Sequence, residues 1–501
     1  MLTDLANGDS PLSFGQPSFG QLPFGQLPFG QLPFRQLPFR QLPFRQLPFR
    51  QLPFRQLPFR QLPFGQLSFW PRVREFAVPP SMIETATARR RAGDWAGACA
   101  AANIDVDLRP RLVARRHGRE FAARLRADLR HLAPDLLRWH MPRIAPDGLL
   151  RPGLTLTLAR YGTGSPGAPH LVVRTPPAWA DAGQRISLAL WDTSRTREAD
   201  RRHPHPRPSR RFRLDLHRHL WDARRAGELR ARSGEGGAGD ADLPGPLPHG
   251  QRCAVDRWAA EAGILLRAEG RSGGKVVVRL GARHRVVLDV SDGGATTAMS
   301  YARAPDASLP VLPDAATWVL PDLELLRAGA IDAGRLHPLV ATALGAERTG
   351  APGAPDRAGD PRVVECRGAL HRIGLVDGVL AALDHDPAEV RREELLAALG
   401  GPPLPCLRAV DEAHRRPDCL PGVRERLHHG DMAGALAAVE ALLGPEAVLR
   451  DGPLRDALET AARRRIAHGL FRAGLEGPSP GSLRPWDRRH SRGDGPHPRH
   501  M

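Results

Sequence analysis

Leu154-Thr-Leu-Thr-Leu158, His170-Leu-Val-Val-Arg174 and Arg185-Ile-Ser-Leu-Ala-Leu-Trp191 decide the fold class, because these short apolar or alternating runs lie between Gly- and Pro-rich breaks. They read as an antiparallel meander with one wet face, continued by Phe212-Arg-Leu-Asp-Leu-His217. Strands recur at 275–280, 285–290 and 299–302, after a helix expected near 255–266. Helix then strands thus occurs twice, as a diverged duplication would give.

Helical sequence flanks these runs. Ser81-Met82-Ile83-Glu84 reads as a capping box, the Ser hydroxyl and Glu carboxylate meeting free amides at a helix start. That helix should stop at Gly93, Asp94 should cap a second over 95–102, and a long amphipathic helix should run over about 112–139. Residues 370–475 read as mostly helical. The expected fold is α+β, with helical hairpins flanking antiparallel β-meanders. Its regions are a low-complexity arm (1–77), a helical region (78–150), a β-meander ending in a basic helix (151–232), a linker (233–250), an α/β region (251–347), a second linker (348–361), a helical region (362–478) and a disordered basic tail (479–501). Gly93-Asp-Trp-Ala-Gly-Ala-Cys-Ala-Ala101 returns as Gly430-Asp-Met-Ala-Gly-Ala-Leu-Ala-Ala438, identical at seven of nine positions. Two copies fall short of a solenoid.

The arm places twelve phenylalanines every five residues from Phe14 to Phe69, with Gln-Leu-Pro-Phe-Arg running six times unbroken over 31–60. A pentapeptide β-helix conflicts with Leu where that coil needs a small residue, and with Pro in nearly every pentad. Phe-Gly pairs and Phe with Arg point to a cohesive arm; the plainer reading is a disordered, partly polyproline-II tail. So exact a repeat reads as recently copied DNA, and a gene start slightly upstream of Met82, such as Val73 or Val78, is expected, with the folded part beginning near residue 78.

Lys275 is the only lysine against 71 arginines, the mark of a GC-rich genome, so the net charge of +18 is not by itself a nucleic-acid signal. The excess concentrates at 1–76, 195–232 and 484–501. Five scattered cysteines without a CxxC pair argue for a reducing compartment. No signal-peptide pattern or long apolar run appears, so neither secretion nor a membrane span is expected.

Asp411-Glu412-Ala413-His414 spells a helicase box, yet no phosphate-binding GxxxxGK[ST] loop accompanies it. Cys406, His414, Cys419, His428 and His429 carry zinc-ligand chemistry without knuckle spacing, and His217-Arg-His219-Leu-Trp-Asp222 and Asp384-His385-Asp386 lack a partner at fixed spacing. Arg492-Gly493-Asp494 has no meaning without an extracellular setting. The stretch Arg201, Arg202, Arg207, Arg210, Arg211 and Arg213 is the polyanion-binding candidate, with Phe212 or Trp221 to stack on a base.

At Arg90-Arg-Ala-Gly-Asp-Trp95, His131-Leu-Ala-Pro-Asp-Leu-Leu-Arg-Trp-His140, His219-Leu-Trp-Asp-Ala-Arg224, Arg372-Ile-Gly-Leu-Val-Asp-Gly378 and Gly469-Leu-Phe-Arg-Ala-Gly474 the chain resembles uncharacterised actinobacterial proteins, over about 80–475. The resemblance implies a cytoplasmic bacterial protein and supplies no activity. The leading expectation is a non-catalytic protein-interaction or regulatory protein with a protein partner. The first alternative is a nucleic-acid-associated protein using 201–213; the second is an enzyme whose residues converge from distant segments, such as His140, Asp222 or Asp384. No catalytic, cofactor-binding or metal residue is assigned, and no cofactor is expected.

Overall fold

The computed structural model describes residues 69–162, 168–192, 203–234, 252–281, 284–291, 296–301, 305–346 and 362–475. The pentads before Phe69, Arg201, Arg202, most of both linkers and the C-terminal tail lie outside them. The fold is α+β. Ordered chain begins earlier than residue 78, because Phe69 is buried and α1 (Trp70–Phe76) follows it with Val73 and Arg74 in the core. A chain begun at Val78 would leave buried Asp322 without Arg74, its ion-pair partner.

An αα-hairpin comes next, α2 (Pro80–Arg91) and α3 (Trp95–Ala101). The Ser81/Glu84 capping box does not form, because Pro80 holds the first helical position and Pro79 the cap. The Thr85 hydroxyl instead donates to the Ser81 carbonyl. Asp94 does cap α3, accepting from the Gly97 amide at 2.8 Å. The long helix expected over 112–139 is three: α4 (Pro110–His117), α5 (Arg119–His131) and α6 (Pro134–Trp139). Gly118 at φ 86° breaks the first join and Pro134 the second.

Strand β1 (Ile104–Val106), unforeseen, pairs parallel to β6 (Ile186–Trp191). A small ribbon joins β2 (Arg143–Ile144) to β3 (Leu149–Leu150), and the expected meander supplies β4 (Thr155–Arg160) and β5 (His170–Arg174), giving a sheet ordered β1-β6-β5-β4. Its predicted wet face is absent: Thr155 through Ala159 and Leu171 through Arg174 are all buried. Residues 212–217 form no strand. They turn across β4 with Phe212 and Leu214 in the core.

The second unit packs α7 (Val255–Ala268) on a meander of β7 (Gly274–Arg279), β8 (Arg285–Val290) and β9 (Thr296–Tyr301). Here β8 does alternate, burying Val286, Leu288 and Val290. Short helices α8 (Pro321–Arg327) and α9 (Pro338–Leu344) return to the first core.

The C-terminal region is not helical throughout. It opens with β10 (Arg362–Cys366), β11 (Ala369–Val376) and β12 (Val379–Ala382), an antiparallel sheet. Both hairpins close on two residues at positive φ, Arg367-Gly368 and Asp377-Gly378, the geometry whose twist matches paired strands. Then come α10 (Pro387–Ala398), α11 (Pro405–Arg415), α12 (Leu420–His429), α13 (Met432–Leu443) and α14 (Pro453–Ala473), the last four sharing a core. Among the described residues no helix is long and apolar enough to cross a membrane.

The sequence echo is a structural one. In both copies a helix ends on a left-handed glycine, Gly93 or Gly430, and the next Asp caps the following helix through Gly97 or Gly434. A Cβ on Gly97 or Gly434 would sit 2.0 or 2.2 Å from the capping carboxylate, which explains the second glycine. An arginine five residues earlier pairs with each Asp, Arg89 at 3.2 Å and Arg426 at 2.7 Å. The copies differ in surroundings: around Gly93 there is open space, whereas a Cβ on Gly430 would meet the Gly183 carbonyl at 2.0 Å. Gly93→Ala should therefore cost about 1–3 kcal/mol for backbone strain alone, and Gly430→Ala about 1–3 kcal/mol more for the collision. Urea unfolding of the two variants checks the difference.

Candidate functional site

The arginine-rich stretch covers the edge of β4. Backbone amides of Ser209 and Asp215 donate to the Thr155 and Thr157 carbonyls at 2.8 and 2.9 Å, and the Thr155 hydroxyl donates to the His205 carbonyl. Arg211 pairs with Asp314, and Arg213 pairs with Asp215 at 2.8 Å and Glu269 at 2.6 Å. Arg210 donates to the Ala307 carbonyl. These contacts engage Arg211 and Arg213 with protein carboxylates, which leaves them less to offer a phosphate. Arg207 is exposed, while Phe212 and Trp221 are buried and so placed to pack rather than to stack on a base.

On α6, the buried Arg138 joins three segments that are distant in sequence. Its guanidinium donates to the carbonyls of Ala77 and His429, both at 3.0 Å, and of Gln184. Ala77 and His429 close α1 and α12, so two negative helix ends converge on one buried cation. Burial, with the Arg185 charge adding, lowers its pKa to about 10, and it stays charged at neutral pH. Nearby, Arg74 pairs with Asp322 at 2.7 Å, donates to the Trp139 carbonyl and lies over the Trp70 and Trp139 rings at 4.6 and 4.4 Å. The Trp139 indole donates to the same Asp322, and His337 lies 3.0 Å from Asp135.

A cleft of about 80 Å³ is lined by Asp107, Arg174, Arg185, His203, His468 and Arg472. Arg185 already pairs with Asp105 and Arg472 with Asp107. Small-molecule sites run to roughly 300–1,000 Å³, so the cleft suits an ion or a side chain.

The zinc-type residues singled out by sequence divide. Cys406 lies with Cys366 and His385, their ligand atoms all within 4.8 Å of one another. His371 stacks on His385 with ring centroids 3.9 Å apart. His414 and Cys419 sit elsewhere on α11 and at the start of α12, and His429 serves Arg138 through its carbonyl. The enzyme candidates are held by separate partners: the His140 Nδ1 faces the Leu136 and Leu220 carbonyls, Asp222 pairs with Arg218 and Arg224, and Asp384 pairs with Arg372. Sequence reasoning missed Cys366, His371 and Arg138. Only the Asp377-Gly378 turn signal, which implies a hairpin and hence a strand carrying His371, pointed toward any of them.

Set against protein-family models, curated proteins and solved structures, the chain matches none.

Two expectations follow. Arg138→Met should destabilise by at least about 3 kcal/mol, because three buried carbonyls lose their donor at about 1–3 kcal/mol each; denaturant unfolding reads this. Acid should also destabilise the fold. Burial, the leading cause in each case, pulls His140 down to about 4 and His429 to about 2, and holds His217 and His219 well below the ordinary value. The unfolded chain, whose histidines titrate at about 6.5, then takes up protons first. Stability from these groups is complete above that pH and shrinks as pH falls; at pH 5 His140 alone accounts for about 2 kcal/mol. Unfolding midpoints at pH 7.5 and 5 test the sign.

Proposed function

We propose that this chain is a non-catalytic protein-interaction or regulatory protein of the cytoplasm, and that its partner docks on the outer face of the β10–β12 sheet. The observation that carries this reading is that Val363, Leu370, Val376 and Val379 are 55, 73, 44 and 36 % exposed. The register, with Val363 opposite Arg372, Glu365 opposite Leu370 and Val376 opposite Val379, puts all four on one face. The opposite face holds Cys366 and Ile373 in the interior. An open sheet face on which these four apolar side chains are interspersed with Glu365 and Arg372 has the mixed character of an interface. Leu395, Leu396 and Leu399 are further exposed apolar residues on and just past α10, which buries none of its residues.

The occupant is a partner protein that presents an extended apolar segment. Support comes from β10, an edge strand whose ladder runs without a bulge from Arg362 to Cys366 and so offers a straight template for an added strand. The internal pairing of Arg211 and Arg213 favours protein over nucleic acid as ligand, and the small cleft favours docking over turnover.

Cross-linking in cells that express the full chain, followed by mass spectrometry, tests this. A partner captured by the wild type should be lost from the Leu370→Asp/Val376→Asp double variant and kept by Ile466→Asp, a substitution at an exposed position of α14. Equal cross-links in the double variant would sink the reading. If the association instead vanishes with nuclease and weakens steeply with salt, the arginines of 201–213 become the functional surface; if light scattering shows dimers that the double variant loses, the occupant is a second copy.

A further inference from the structure

We propose that Cys366, His385 and Cys406, completed by His371, bind one zinc-type cation that ties the β10–β12 sheet to α11. This inference stands independently of the docking reading. Each donor sits on a position fixed by local structure. Cys366 ends β10 at the tight Arg367-Gly368 turn, and His371 lies on β11 opposite Val364, on the sheet face that Cys366 shares. His385 immediately precedes Asp386, whose side chain caps α10 through the Ala388 amide. Cys406 lies in the first turn of α11, after Pro405.

Cys366 and Cys406 are fully buried, and the donor atoms of the two thiols and His385 lie within 4.8 Å of one another. Tetrahedral ligands bonded at about 2.0–2.3 Å to zinc stand roughly 3.3–3.8 Å apart, so a contraction of about 1 Å brings these three donors to the ion; His371 joins as fourth ligand by turning out of its stack on His385, because the in-plane lone pairs of parallel rings do not meet at one point.

Two further observations point to a ligand. The His385 Nε2 and the His371 Nδ1 are buried nitrogens with no hydrogen-bond partner, on rings stacked at 3.9 Å. Leaving one such atom unmet costs about 1–3 kcal/mol, and a cation shared with the thiolates satisfies it. The surroundings are apolar, with Leu404 buried and Val364, Ala382 and Leu407 packed around the thiols. A divalent ion with two thiolates and two neutral imidazoles carries no net charge, which suits that lining. On binding, each thiol gives its proton to solvent and its sulfur electron pair to the metal; no redox step is involved.

Cobalt(II), titrated into the reduced, metal-stripped full chain, tests the site. At one equivalent we expect intense visible bands of tetrahedral cobalt, a near-ultraviolet thiolate-to-cobalt band, and displacement of both by zinc with release of about two protons. Cys366→Ser and Cys406→Ser should each remove the tetrahedral spectrum, His385→Gln and His371→Gln should weaken binding by at least about tenfold, and Cys419→Ser should change nothing. Wild-type protein that leaves cobalt with the pale spectrum of its hydrate overturns the proposal, and this readout needs no variant to fold. Serine variants that bind as the wild type does, or a Cys366–Cys406 disulfide in the mass spectrum of unreduced protein, overturn it equally.

Discussion

The guanidinium of Arg138 is the point on which the architecture turns. A buried cation is tolerable only where fixed dipoles replace water, and here they come from the carbonyls of Ala77, Gln184 and His429, remote from one another in sequence. The arginine fork makes this geometry available, since its planar donors reach three acceptors at once where an ammonium would act as a point charge. Because no carboxylate takes part in these bonds, the site is built only from helix ends and a turn whose carbonyls point inward. The N-terminal helix, the loop before β6 and the C-terminal hairpin are therefore all tied to α6 through this side chain, with Arg74 adding a second tie between α1 and α6.

The two echo hairpins show how local sequence and tertiary setting divide the work. Gly, Asp and Gly at fixed spacing specify the turn and cap in both copies, and that much is written in nine residues. What the second copy adds is context. Gly430 touches the Gly183 backbone, and its carbonyl accepts from the Asn103 side chain, two residues beyond the end of α3 in the first copy. The repeated elements thus meet at the same interior that Arg138 organises.

Much of the fold was legible where side-chain periodicity and burial agree. The runs at 170–174 and 285–290 are β5 and β8 residue for residue, and Asp94 caps the helix its position implied. Legibility failed where partners distant in sequence decide. Thr155 and Thr157 look solvent-facing, yet residues 205–215 cover them. Arg211 and Arg213 pair with Asp314 and Glu269, which arrive from other elements and which no local spacing announces. Cys366, His385 and Cys406 have no telling spacing, because a sheet, a loop and a helix each contribute one donor. The β10–β12 hairpins were the avoidable miss, since Asp377-Gly378 between apolar runs is a strong local signal that the apolar, Ala-rich surroundings masked.

The cover over β4 also sets an order of events during synthesis. The strand is complete at Arg160, but the residues that bond to its outer edge, Ser209 and Asp215, emerge from the ribosome some fifty residues later. Over that interval the nascent chain carries a buried-type strand, Leu156 and Leu158 included, with one side of its backbone unpaired and open to any other extended segment. Residues 205–215 are then the final stitch that retires a sticky edge, and the time a ribosome spends between residues 160 and 215 is the protein's window of vulnerability.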